Sequence, residues 1–347
     1  IDWFERLGAG GVQCGIEANF WYVWALVFHR RFERARQQRD KLLDRISQQG
    51  LGSLSEAELT AFRRRIEVIG IGIDTYTDHL DTGERNALRW LQQCGEGDEP
   101  FHVGTVASAA VICLVSEYDL TKASDVLRVA QANMTIARSD YGQGWVRLMT
   151  AAIALHRGEF APAHAELTST IPVVRSKLGE NAGIADAMSV LAAKSAIEMG
   201  LDAEAEELLD MGLRKFQTQG IIAISAFALD VAVKLWNGDP QAKYNVARLR
   251  ETARAYPPRM GLMLSCFLIR RLLRLGRMEQ ALAEAESIAL DSLDDNRLKT
   301  AGIADTPSLR DVLAAAGTDL HLAAGRLQRP DKLTPEQTQL APADGRM

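Results

Sequence analysis

The sequence predicts an all-α protein in which helical hairpins stack side by side into a solenoid. Two observations carry this reading. Helix, turn, helix segments recur in a common register, and no stretch alternates apolar and polar residues as a half-buried strand would. The register is clearest where the helical segment WVRLMTAAIALH meets RGEFAPAHAEL and where MLSCFLIRRLLR meets LGRMEQALAEA. In each, a residue suited to a tight turn is followed two positions on by an apolar residue and three after that by alanine: Gly158, Phe160, Ala163 and Gly276, Met278, Ala281. The same frame fits Gly200, Asp202, Ala205 without the apolar slot, and Tyr118, Leu120, Ala123 and Arg30, Phe32, Ala35 without the glycine. Glycine at a helix end enters the left-handed conformation without a Cβ clash, and a small alanine lets the second helix close on the first. Gly200, Gly238 and Gly276 fall at equal intervals of 38, with Gly158 lying 42 before the first, so the same turn is expected at each.

Taken in order, the helix pairs are expected near 16–49, 55–94, 101–136, 141–178, 182–219, 221–255 and 259–290. The first opens with FWYVWALVFHRRFERARQQRDKL, in which Trp21, Trp24, Phe28 and Phe32 recur at helical spacing and form one stripe, read as the core between the two helices. An aromatic partner-binding groove or an interfacial membrane helix would give a similar composition. Its apolar run, Phe20 to Phe28, is too short to span a bilayer, which takes about 20 residues. The second pair is the least regular, because glycines at 70, 72 and 83 blur the turn. GLGSLSE reads as a loop ending in a capping box of Ser55 with Glu58, and the prolines of YPPRM break the chain before the seventh pair. Together these pairs make a helical-repeat domain over residues 1–292, followed by capping helices over 293–328 and a disordered tail or linker over 329–347.

Composition excludes several functions. The formal net charge is −5, so the surface as a whole does not attract phosphates, and direct nucleic-acid binding by this segment is not expected. The cysteines at 14, 94, 113 and 266 are too far apart for a CxxC pair and sit in apolar surroundings. His156 and His164 flank a turn, and no HExxH, phosphate loop or GxGxxG after a strand is present. The carboxylates of EAEAEELLD have helix-surface spacing. No nucleophile, base and orienting group can be assembled, so no enzyme and no cofactor in this chain are expected. The chain begins with Ile, which fits a segment cut or processed from something longer.

Repeats of roughly 40 residues built around WYVWALVFHRRFERA, ALHRGEFAPAHAEL, AIEMGLDAEAEELL and RLLRLGRMEQALAEA resemble the tetratricopeptide-like sensor region of the MalT-type large ATP-binding regulators of the LuxR family. The resemblance covers about residues 16 to 290. It implies a right-handed superhelical array that binds a small-molecule inducer or a regulatory protein in the cytoplasm, with self-association possible and no membrane contact. The state of the array would pass to ATPase and helix-turn-helix modules that this chain lacks; KLTPEQTQL at 332–340 has only the opening of such a helix-turn-helix. The alternative is a free-standing adaptor of the same architecture that takes a partner peptide in its groove.

In such arrays the first helix of each pair lines the concave surface. Counting back from the four aligned glycines places Leu148, Ala152, Leu155 and His156 there, then Val190, Lys194, Ile197 and Glu198. Ala228, Ala232, Leu235 and Trp236 follow, and then Cys266, Arg270, Leu273 and Arg274. The expected ligand site is Lys194, Arg270 and Arg274 on the wall with Trp236 as a stacking surface, suited to an anionic or sugar-like molecule or an acidic peptide.

Overall fold

The turns inside six of the helix pairs close with the same backbone device. The amide of Arg31 donates to Leu26, that of His79 to Asp74, Asp119 to Leu114, Glu159 to Ala154, Leu201 to Ala196 and Arg277 to Leu272, each at 2.9–3.0 Å. In every case the residue before the donor is left-handed: Arg30, Asp78, Tyr118, Gly158, Gly200 and Gly276. This arrangement satisfies carbonyls that the helix end would leave open, and it reverses the chain within three residues.

The computed structural model describes residues 4, 6, 15–48, 55–213 and 221–327. Among these the protein is all helical, with sixteen α-helices and no strand. The reversals join α1 (Ile16–Phe28) to α2 (Phe32–Gln48), α3 (Glu56–Tyr76) to α4 (Leu80–Gln92), and α5 (Pro100–Ser116) to α6 (Leu120–Ile136). They likewise join α7 (Asp140–His156) to α8 (Phe160–Leu178), and α9 (Gly183–Glu198) to α10 (Asp202–Leu213). The last joins α13 (Pro258–Arg274) to α14 (Met278–Ser287). Between them α11 (Ile222–Leu235) and α12 (Val246–Arg254) form a pair of another kind. A 3₁₀ turn at Leu290–Ser292, α15 (Asp295–Thr300) and the single long helix α16 (Pro307–Leu327) complete the described chain. The expected tail at 329–347, Cys14 and the KLTPEQTQL segment lie outside the described residues.

Helices pack against their neighbours in sequence, and the two members of a pair differ in how much of their surface is covered. α5, apolar all round, contacts α3, α4, α6 and α7 and buries residues on every face. α6 buries a single stripe, Ala123, Leu127, Ala130 and Met134. The alanine slot works as its spacing requires: Ala35, Ala123, Ala163, Ala205 and Ala281 are all buried where the second helix turns back on the first. In the second hairpin the slot holds Gly83, where a Cβ would come within 3.3 Å of both Cys113 Sγ and Thr75 Oγ1. Ser55 and Glu58 form the expected reciprocal capping box at the start of α3.

Gly238 does not mark a turn equivalent to those at 158, 200 and 276. α11 ends at Leu235, Trp236 is extended, and the chain crosses to α12 by a loop that its own side chains build. Asn237 Oδ1 accepts from the amide of Asp239, and Asp239 Oδ1 from that of Gln241. Gly238 is left-handed, its carbonyl accepts from the Arg277 guanidinium at 2.9 Å, and that guanidinium lies 2.5 Å from where a Cβ would stand. The interval of 38 therefore joins unlike turns.

The chain also returns on itself. Arg30 donates to the Ala255 carbonyl at 2.6 Å and lies over the Tyr256 ring at 4.2 Å. Arg259 grips Asp78 through two bonds, 2.7 and 3.0 Å, and donates to Thr306 Oγ1 at 3.2 Å. Burial, and then the Asp311 carboxylate of α16 beside it, push the Tyr118 hydroxyl up to about 12. The turns of the first three hairpins thereby touch the loop before α13, α13 itself and α16. α16 lies along α13 and buries Leu309, Leu313, Ala316 and Leu320 in the same core.

Candidate functional site

The first helices of four successive hairpins enclose a cavity of about 110 Å³. Its walls carry six aromatic side chains: Trp21 and Trp24 from α1, Tyr76 from the end of α3, Phe101 from the start of α5, and Tyr141 and Trp145 from the start of α7. Ile221, from the other half of the chain, closes it. Three small residues let the rings meet. A Cβ on Gly72 would touch the Trp24 ring at 3.5 Å, and Gly104 and Gly142 make room for Met134, whose side chain a Cβ would overlap at 2.8 Å and 2.1 Å respectively. Trp21 is 49% exposed and stands at the mouth, its indole N–H donating to Glu17 at 3.1 Å while Glu17 is gripped by Arg65 at 2.7 Å. The stripe read from the first helix as inter-helix core is thus divided: Trp24 is buried and Trp21 is presented.

The electrostatics of the cavity are those of neutral groups. Burial pushes the Tyr76 and Tyr141 hydroxyls above the ordinary phenol range, so both stay protonated at neutral pH. The two residues of α7 form an edge-to-face pair with ring centres 6.3 Å apart. Among the described residues no group of three or more His, Cys, Asp or Glu is placed to hold a metal ion.

A second polar cluster lies on α9 and α11. Lys194 Nζ contacts Asp230 at 2.5 Å and also Glu198; Lys234 Nζ contacts Glu198 at 2.5 Å and Asp230 at 3.0 Å. Burial acts against the charges of Lys194, Asp230 and Glu198, yet the alternation wins: Lys194 is held above the ordinary lysine range, and Asp230 and Glu198 below the carboxylate range. His156 lies against Phe227 and Tyr118, with ring centres 5.4 Å from each. Burial, and then the Lys194 charge, lower its pKa to about 4.

The four residues expected to share a ligand site have separate surroundings. Lys194 is committed to the quartet. Arg270 pairs with Asp319 of α16 at 2.8 Å, because α16 covers that part of α13. Arg274 is exposed at the end of α13. Trp236 is only 5% exposed; its indole N–H donates to the Asp239 carbonyl at 2.9 Å and its own carbonyl accepts from Arg271 at 2.7 Å. It anchors the α11–α12 loop, and its placement as a groove stacking surface rested on treating Gly238 as a repeat turn.

Sequence reasoning missed Tyr76, Phe101, Tyr141 and Trp145 as cavity residues. They occupy different positions within their hairpins, so alignment on the turns does not gather them. The one local signal was the aromatic density of the first helix. Neither a family model, nor a curated protein, nor a solved structure matches this chain.

Proposed function

We propose that the chain is a signal-sensing and protein-interaction region of the MalT-type regulators of the LuxR family, a right-handed superhelical array of seven helix pairs, six of them tetratricopeptide-like hairpins, with the aromatic cavity on its inner surface. One observation carries the reading: the cavity is walled by the first four hairpins and closed by Ile221 of the sixth. An occupant there touches parts of the chain far apart in sequence. It therefore binds more tightly to an arrangement that holds them together than to one that does not, and that difference is what a sensor requires. The contacts of Arg30, Asp78 and Tyr118 with the loop before α13, with α13 and with α16 supply the element whose closure an occupant would favour.

On this reading the array works in the cytoplasm and passes its state to ATPase and DNA-binding modules, with no chemistry of its own. No helix among the described residues is long and apolar enough to cross a membrane. The coding sequence on either side of this chain tests the assignment. A phosphate loop upstream and a helix-turn-helix downstream are expected; a start and a stop codon at its two ends would replace the regulator by a free-standing adaptor.

A further inference from the structure

The walls of the cavity discriminate among ligand chemistries. None of its lining residues is charged. Its aliphatic hydroxyls are already committed: Thr75 donates to Ile71, Thr105 to Phe101 and Ser108 to Gly104, at 2.9, 2.7 and 2.9 Å, all within their own helices. A carboxylate would meet no cation there, and a sugar would find only the Tyr76 and Tyr141 hydroxyls for its several, so most of its hydration would be shed unmatched. A quaternary ammonium would meet aromatic faces but no wall carboxylate, since Glu17, the nearest to Trp21, is held by Arg65. Size narrows the class further. A water needs about 10–15 Å³ by this measure, and an apolar cavity of about 150 Å³ takes benzene. At about 110 Å³ the space is smaller than that cavity, so it would hold a flat ring system only in part, with its edge standing out beside the half-exposed Trp21.

We propose that this cavity binds a neutral, largely apolar molecule of one or two fused rings, stacked among Trp24, Phe101 and Trp145 with Trp21 as its gate. The proposal rests on the reading of the cavity as the sensing site. It also moves the ligand away from the anionic or sugar-like class that Lys194, Arg270 and Arg274 suggested, because the first two of those cations already hold protein carboxylates.

Titration calorimetry of the 347-residue chain with indole is the test, with choline, indole-3-acetate and glucose as counter-probes. The same titrations are run on Ser108→Leu and Ala109→Leu, which fill the cavity from α5, after their helical signal and melting have been recorded. A soak of 5-bromoindole into crystals of the unaltered protein locates the ring without relying on either variant. Expected are indole binding with a Kd at or below about 1 mM, each counter-probe at least about tenfold weaker, loss of indole binding in whichever variant melts like the parent, and bromine beside Trp24 and Trp145. A counter-probe that outcompetes indole and is blocked by the same variants overturns the ligand class and leaves the cavity as the site. Bromine elsewhere, or no binding of any probe at about 1 mM, overturns both.

Discussion

The hairpin turns of the first three pairs and those of the later ones share a backbone and differ in what they do with it. Arg30, Asp78 and Tyr118 are left-handed with φ of 56, 69 and 57°; Gly158, Gly200 and Gly276 are left-handed with φ of 76, 77 and 71°. A side chain in that conformation costs roughly 1–2 kcal/mol per residue, which glycine avoids. The three strained residues each reach a distant element: the end of the loop before α13, Arg259 within α13, and α16. At the three glycines nothing lies within 4 Å of a hypothetical Cβ, so no contact is forgone. Within the pairs, the strained residue stands where the turn also reaches the other half of the chain.

The sharpest way to break this comparison is Asp78→Ala. Arg259 is 3% exposed, and removing its carboxylate leaves a buried guanidinium with only Thr306. A loss of about 3–5 kcal/mol is expected in denaturant unfolding. Burial keeps the Asp78 carboxyl above its usual range even beside Arg259, a sign that the pair is desolvated at a cost. The double variant Asp78→Leu with Arg259→Met should therefore recover most of the loss. If the single variant unfolds like the parent, the contact is dispensable and the comparison fails.

Next in size is a test of the register that both groups of turns share. Ala163 and Ala281 are buried at the close approach of paired helices, and Ala163→Glu or Ala281→Glu adds overpacking of about 1–3 kcal/mol to the cost of a buried charge. Melting temperatures should fall in both. An unchanged value in either would mean that the alanine slot is not a packing constraint.

The turn at Tyr118 adds a pH dependence of its own. Its ring packs on His156, which burial and Lys194 keep neutral, with a pKa of about 4 against an ordinary 6.5. Below pH 6.5 the unfolded chain binds a proton at this histidine that the folded chain refuses. The stability it contributes is fully present above pH 6.5 and is lost as the pH falls toward 4. His156→Gln should flatten that part of the stability profile by fluorescence-monitored urea titration. An identical slope in parent and variant would remove His156 as its cause.

These turns also show how far the sequence could be read. The alanine slot is local and has one chemical solution in five hairpins, so the pairs were legible down to their turns at Arg30, Tyr118, Gly158, Gly200 and Gly276. The second hairpin hid its register because Asp78 stands where glycine was sought and Gly83 where alanine was sought. Gly238 misled for the opposite reason: it has the right residue and a positive φ, but its partner is Arg277 and not a helix end. The quartet on α9 and α11 was half visible, since Lys194 and Glu198, and Asp230 and Lys234, each stand four apart; that the two pairs face one another follows only from how the helices stack. The cavity was least legible. Its rings come from the ends of some helices and the starts of others, and only packing makes them neighbours.

The smallest expected effects give the finest test of the comparison, because they exchange the two kinds of turn. Gly158→Ala places a Cβ in open space, so its cost is the left-handed backbone alone, about 1 kcal/mol. Arg30→Gly relieves the same strain and loses the bond to Ala255 and the contact with Tyr256, whose exposed cation–π part is worth about 0.5–1 kcal/mol. The two changes in Arg30→Gly oppose each other, so its unfolding free energy should stay within about 1 kcal/mol of the parent, and Gly158→Ala should be the more destabilised. The difference between the first and later turns would then reappear in another measurement. Amide exchange near Ala255 should quicken in Arg30→Gly and not in Gly158→Ala, since only the first releases the loop before α13. Equal exchange in both variants would mean that the Arg30 contact does not restrain that loop, and that the strain at the first turn has no long-range purpose.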